Sequence, residues 1–136
     1  MSNFLAGDVE DITCNHLGIT YRYSPKAGET FNIDKGGRRT KDENGDVTSN
    51  DQNIRAINNT RWSVDGPIAV DLLSGYEEDS LRLMSGSPIE GIWQITHISG
   101  AIFKGKGSPV GDIKCDSNAG TLSLKISGAG GLETIS

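Results

Sequence analysis

The sequence predicts a mainly β domain: a β-sandwich or small barrel with one short flanking helix and one long polar loop. Three observations lead there. Apolar side chains alternate with period two, most strictly over 121–127, where Leu122, Leu124 and Ile126 share one side and Thr121, Ser123, Lys125 and Ser127 the other. Glycine supplies 18 of the 136 residues, well above the average usage of roughly 7%, as a turn-rich β architecture requires. Helical patterning is confined to 74–86. A chain of 136 residues, 35% of them hydrophobic, has material for one core, so residues 1–136 are read as a single domain.

Residues 11–23 (DITCNHLGITYRY) and 29–33 (ETFNI) are rich in alternating, β-branched and aromatic side chains, so short strands are predicted, interrupted at Leu17-Gly18 and Ser24-Pro25. The stretch 35–53, KGGRRTKDENGDVTSNDQN, breaks the pattern because its single aliphatic side chain, Val47, cannot make a core face. Its polarity, the Gly36-Gly37 pair and the Asn44-Gly45 turn signal predict a long polar loop or extended hairpin. Its charge changes sign along the chain, Lys35, Arg38, Arg39 and Lys41 preceding Asp42, Glu43, Asp46 and Asp51.

Residues 60–72 (TRWSVDGPIAVDL) alternate on either side of Asp65-Gly66, a favoured type I′ pair, and so predict a hairpin that turns there. In 74–86, Ser74 and Glu77 have capping-box spacing, Glu77, Glu78 and Asp79 suit the positive end of a helix dipole, and Gly86 is placed to stop the helix. Leu81, Leu83 and Met84 are its expected apolar side. Strands are predicted again at 92–98, 101–105, 110–116 and 121–127, giving seven or eight in all, with the glycine-rich GKGSPVG at 105–111 as a turn.

Charge and motifs narrow the function. A net charge of −5 and a pI near 4.9 argue against a surface that grips phosphate backbones. The start MSNFLAGDVED lacks the basic and apolar stretches of a secretory signal, and no apolar run approaches bilayer length, so synthesis in the cytosol without membrane insertion is expected. His16 and His97 have no second His or Cys at ligand spacing, and no Gly-x-Ser-x-Gly, HExxH or CxxC motif occurs. The expectation is therefore a protein that is not an enzyme and uses no cofactor or metal. Asp42, Asn44 and Asp46 imitate the first ligands of a calcium loop, but Val47 and Asn53 replace its essential Gly and Glu. The sequon Asn58-Asn59-Thr60 carries little weight without a secretory signal. Cys14 and Cys115 are read as two packed thiols, or as a bridge if their strands are neighbours within one subunit or across two. A monomeric or dimeric carbohydrate- or protein-binding β-sandwich, with Trp62 or Trp93 as its exposed platform, is the alternative to a structural role.

The order of elements adds a resemblance. A Gly-Gly-Arg-Arg segment, a polar excursion, RWSVDGPIAVDL, the helix EEDSLRLM and then WQITHISGAIFKGKGSPVGDIKCDSNAGTLSLKISG together resemble the tail tube proteins of contractile-tailed bacteriophages and the tubes of related contractile injection machines, over roughly residues 10–135. The resemblance implies a β-sandwich with a flanking helix, six copies joined through their strands into a ring, and rings stacked into a hollow tube. DNA would pass through without specific binding. The implied partners are further copies of the chain, a tail sheath, and baseplate or terminator proteins, and the implied location is the virion tail after synthesis in the host cytoplasm. It also implies that 35–53 reaches a neighbouring subunit, placing Arg38, Arg39, Asp42, Glu43 and Asp46 at inter-subunit contacts, while Thr121, Ser123 and Ser127 line a wet channel.

Overall fold

A computed structural model describes residues 5–41 and 56–135. Eleven strands and one helix form among them: β1 (Val9–His16), β2 (Ile19–Tyr23), β3 (Asn32–Asp34), β4 (Gly37–Lys41), β5 (Ala56–Thr60), β6 (Trp62–Ala69), α1 (Tyr76–Ser85), β7 (Gly91–His97), β8 (Ile102–Pro109), β9 (Cys115–Asp116), β10 (Thr121–Gly128) and β11 (Glu133–Thr134). The mainly β class with one short helix is as the alternation predicts. Nine strands make one antiparallel sheet in the order β2-β1-β7-β8-β10-β6-β3, with β11 added to β8 and β9 to β10. β4 and β5 form a separate two-stranded ribbon.

The sheet folds over at β8, which pairs with β7 from Ile102 to Gly107 and with β10 only at Ser108 and Pro109. Trp62 fills the corner. Its indole N–H donates to the Lys106 carbonyl at 3.1 Å, and the Trp93 indole N–H donates to the Gly107 carbonyl at 3.0 Å. Each buried indole thereby gains a partner, which removes the cost of an orphaned donor. Gly107 and Gly128 are glycine because a Cβ on either would run into Trp62 and the opposing backbone. Ile12, Tyr23, Val64, Ile68, Ile95, Leu122, Leu124 and Ile126 complete the interior between the two halves. The two ends of the sheet approach where the Ala69 N–H donates to the Ser24 carbonyl at 2.8 Å and the Lys26 N–H to the Pro67 carbonyl at 3.1 Å, but the sheet is not closed.

Three expectations about strands and turns are corrected. The Asp65-Gly66 pair does not turn: β6 runs straight through it, paired with β10 from Trp62 opposite Gly128 to Ala69 opposite Thr121. The alternation explains why. A two-residue turn at 65–66 would put residue 67 on the same face as Val64, whereas the apolar side chains continue in unbroken phase at Ile68 and Val70. Gly66 instead makes room for Phe31, whose ring would lie 2.5 Å from a Cβ there. In the same way the glycines of 105–111 do not form a turn up to Pro109: β8 continues through them, and they are small because Trp62 and Leu132 lie against the strand. Of the strand expected at 110–116, only Cys115 and Asp116 pair, with Leu122 and Thr121.

Helix α1 packs Ser80, Leu81 and Met84 inward. Its capping box is not formed. Gly75, in the left-handed conformation at φ 68°, is the N-cap, and the Glu77 carboxylate accepts instead from the Asp71 N–H at 3.2 Å. Gly86 ends the helix as expected, with its N–H on the Arg82 carbonyl at 3.1 Å. Leu83, expected on the inner side, is exposed.

Candidate functional site

The features that set this molecule apart are surfaces, and each follows from how strands begin and end. The first is an arm. β3 opposes β6 with Asp34 against Ser63, and β4 opposes β5 with Gly37 against Thr60, so the same register continues outward without a slip. β3–β4 and β5–β6 are thus one long hairpin. Its inner part belongs to the sheet and its outer part projects beyond it. Gly36, at φ 70°, sits at the joint, where a Cβ would meet the Trp62 N–H and the Thr60 carbonyl. The base is anchored by the Leu132 N–H on the Lys35 carbonyl at 2.9 Å and by the Lys35 ammonium 5.6 Å over the Phe103 ring.

Beyond that joint the pairs are Arg38 with Asn59, Arg39 with Asn58, Thr40 with Ile57 and Lys41 with Ala56. The predicted polar loop therefore starts as strand. The expected inter-subunit residues Arg38 and Arg39 lie on β4, while Asp42, Glu43 and Asp46, with the calcium-like triplet, lie outside the described residues.

The second surface is the outward face of β2-β1-β7-β8. Burial of Ile12, Cys14 and His16 turns Thr13 and Asn15 outward, and the register sets Gln94 opposite Thr13 and Ile92 opposite Asn15. Lys104 and Lys106 follow on β8, opposite Gln94 and Ile92. A groove of about 270 Å³ runs over Thr13, Asn15, Thr20, Ile92, Gln94 and Lys104. A second, of about 350 Å³, continues past Gly105 and Lys106 to Ala129, Gly130, Gly131 and Glu133. The face is polar but not acidic. Arg22 is held by Asp11 at 3.5 Å, and Lys104 and Lys106 are both exposed. On β10, Ser123 is exposed, whereas Ser127, expected to line a channel, is buried and accepts from the Arg61 Nε at 3.1 Å.

The third surface surrounds the start of α1. Leu73 is 97% exposed and Leu83 62% exposed, with Leu72 and Tyr76 also turned out. Tyr76 packs near Tyr21 and Tyr23 at ring-centroid separations of 6.2 and 6.3 Å, and its hydroxyl accepts from the Arg22 N–H at 3.2 Å. That covers one donor on the free edge of β2. Among the helix carboxylates, Glu78 is paired with Arg82 at 3.0 Å and Glu77 is used by Asp71, whereas Asp79 has no side-chain partner among the described residues.

The remaining sequence candidates serve the fold. His16 is buried, with Nε2 3.0 Å from the Ile89 carbonyl and 3.2 Å from the Ser87 hydroxyl, so it holds the chain leaving α1 against β1. His97 sits between the Gly7 carbonyl and Ser99. Both cysteines are free. β1 lies between β2 and β7, whereas β9 pairs with β10, so their strands are not neighbours within the subunit. Cys14 points at the Met84 sulfur, 3.5 Å away, and Cys115 at the Glu78 carboxylate, 3.6 Å away. Burial pushes the Cys14 thiol up to about 12, and loss of solvent followed by the Glu78 charge raises that of Cys115. No group of three or more potential metal ligands occurs among the described residues.

Sequence reading missed the exposed residues at the start of α1 and the lysine pair. Leu72-Leu73, adjacent apolar residues that cannot both face one core from a turn, was the available signal for the first. Continuous alternation of Ile102, Lys104 and Lys106 was the signal for the second. No protein-family description matches the chain, and no curated protein matches it.

Proposed function

We propose that the chain is a structural subunit that associates with copies of itself into rings, and through stacked rings into a hollow tube of the kind formed by tail tube proteins. The observation that carries the reading is the unclosed antiparallel half β2-β1-β7-β8, whose outward face is polar apart from Ile92. An open sheet leaves backbone donors and acceptors at its edges, and cyclic repetition of the subunit satisfies them by pairing edge to edge. Thr13, Asn15, Thr20 and Gln94 would then line a wet channel, with Lys104 and Lys106 on the same face. The proposed location is the virion tail, with sheath and baseplate or terminator proteins as further partners.

The binding-module alternative loses its platform, because Trp62 and Trp93 are both buried and hydrogen-bonded inside. Light scattering on size-exclusion fractions tests the reading. Mass that rises with protein concentration to a discrete multiple of 14.5 kDa supports it, and a constant monomer mass refutes it.

A further inference from the structure

We infer that the outward face of β1, β7 and β8 is a binding site for single-stranded nucleic acid, in which the Lys104 and Lys106 ammonium groups hold successive phosphates of the strand. Every group used lies on one copy of the chain, so the contact does not depend on the assembly proposed above.

Lys104 and Lys106 alternate on β8, so both side chains leave the sheet on the same side, about 7 Å apart along the strand. That spacing is close to the distance between neighbouring phosphates of an extended nucleic-acid strand. Both lysines are exposed, and neither ammonium has a hydrogen bond or ion pair among the described residues. Arg22 and Lys26, by contrast, are already paired with Asp11 and Glu29.

The neighbours of the lysines are suited to the same ligand. Gln94 lies opposite Lys104 and Thr13 opposite Gln94, while Ile92 lies opposite Lys106 and Asn15 opposite Ile92. Amides and hydroxyls of this kind donate to phosphate oxygens. A phosphodiester brings acceptors only, whereas an acidic peptide laid on the face would bring N–H groups that an ammonium cannot accept. The two grooves share Ile92 and Lys104 and so form one trough across the strands. At about 270 and 350 Å³ they are on the scale of single nucleotides, and Ile92 gives a base an apolar floor. With no aromatic ring lining the trough, the contact is to the backbone and carries no sequence preference.

The net charge of −5 is a sum over the whole chain and hides this face. Glu77, Glu78 and Asp79 sit on α1, which packs on the other side of β1 through Met84 and Cys14. The carboxylates close to the trough are Asp11, held by Arg22, and Glu133, which lies opposite Lys104 on β11 and opposes binding at that rim.

Fluorescence anisotropy of a labelled single-stranded DNA oligonucleotide at low salt tests the site, with circular dichroism as the control for folding. Lys104→Gln combined with Lys106→Gln should weaken binding about tenfold or more and flatten the slope of log affinity against log salt by about 1.4, the value for two phosphate contacts on a single strand. Lys26→Gln combined with Lys114→Gln removes the same charge elsewhere and should stay within about threefold of wild type. Glu133→Gln should tighten binding, and a duplex of the same sequence, too wide for the trough, should bind more weakly than the single strand. No binding by the wild type, equal loss in both double variants, tighter binding of the duplex, or an acidic peptide that displaces the DNA at equal concentration each overturns the site. None of these outcomes bears on ring formation, which the mass measurement above decides separately.

Discussion

At the scale of the residue, the fold turns on a few positions where size or ionisation is constrained. Gly107 lies where β8 passes under Trp62 and close to Ser127. Gly107→Ala should cost about 1–3 kcal/mol in urea unfolding, since backbone on one side and an indole on the other leave little room to relax. Trp62→Phe keeps most of the apolar volume but strips the donor from the Lys106 carbonyl, and about 1–3 kcal/mol should be lost if no water replaces it. Ionisation gives a second handle. The Cys14 thiol is raised by burial from its ordinary 9.0 to about 12, and Tyr23 is raised mainly by burial, with its hydrogen bond to Ser80 acting the other way. Both are therefore neutral in the fold, whereas an unfolded chain ionises its thiol from 9.0 upward. The unfolded state then binds fewer protons, so stability is complete below that value and is lost as pH rises toward about 12. Urea midpoints should be flat from neutrality to pH 9.0 and fall above it. Alkylation of the native protein should reach Cys115 well before Cys14, and equal rates would contradict the burial assigned to Cys14.

At the scale of the element, local motif and global register compete, and register wins. Asp65-Gly66 is a good turn pair, yet β10 presents eight consecutive partners to β6, and a turn would forfeit most of them. The signal was legible in the unbroken phase of Trp62, Val64, Ile68 and Val70, because a reversal by two residues shifts the apolar face. β1, β2 and β10 were legible almost to the residue, since each has a buried and an exposed side. β8 was not, because its glycines answer to Trp62, which is far away in sequence. The arm was legible only as far as "loop or extended hairpin", because the register linking β3–β6 to β4–β5 is a property of the paired chains. Within α1, the capping-box spacing was misleading, as Asp71 draws Glu77 back to its own N–H. Ser74→Ala should thus change stability by less than about 0.5 kcal/mol, whereas Gly75→Ala should cost about 1 kcal/mol by forcing a side chain into the left-handed conformation. The reverse ranking in denaturant titrations would restore the capping box.

At the scale of the whole molecule, the proposed assembly leads to the expectation that the core folds without the β4–β5 ribbon and that the ribbon contributes to self-association. Replacing residues 38–59 with a short turn joining Gly37 to Thr60 removes the arm beyond its joint. The core residues on β1, β6, β7 and β10 are untouched by this change, so the melting transition should persist while self-association drops by an order of magnitude or more. Unfolding of the truncated chain would show instead that the arm belongs to its own core. The central claim, that this subunit builds a hollow assembly, is tested most directly by negative-stain electron microscopy of the purified wild-type protein at high concentration. Rings of uniform diameter with a stain-filled centre, some of them stacked into tubes, are the expected result. A field of separate particles no larger than one 14.5 kDa subunit, unchanged across salt and concentration, would contradict it.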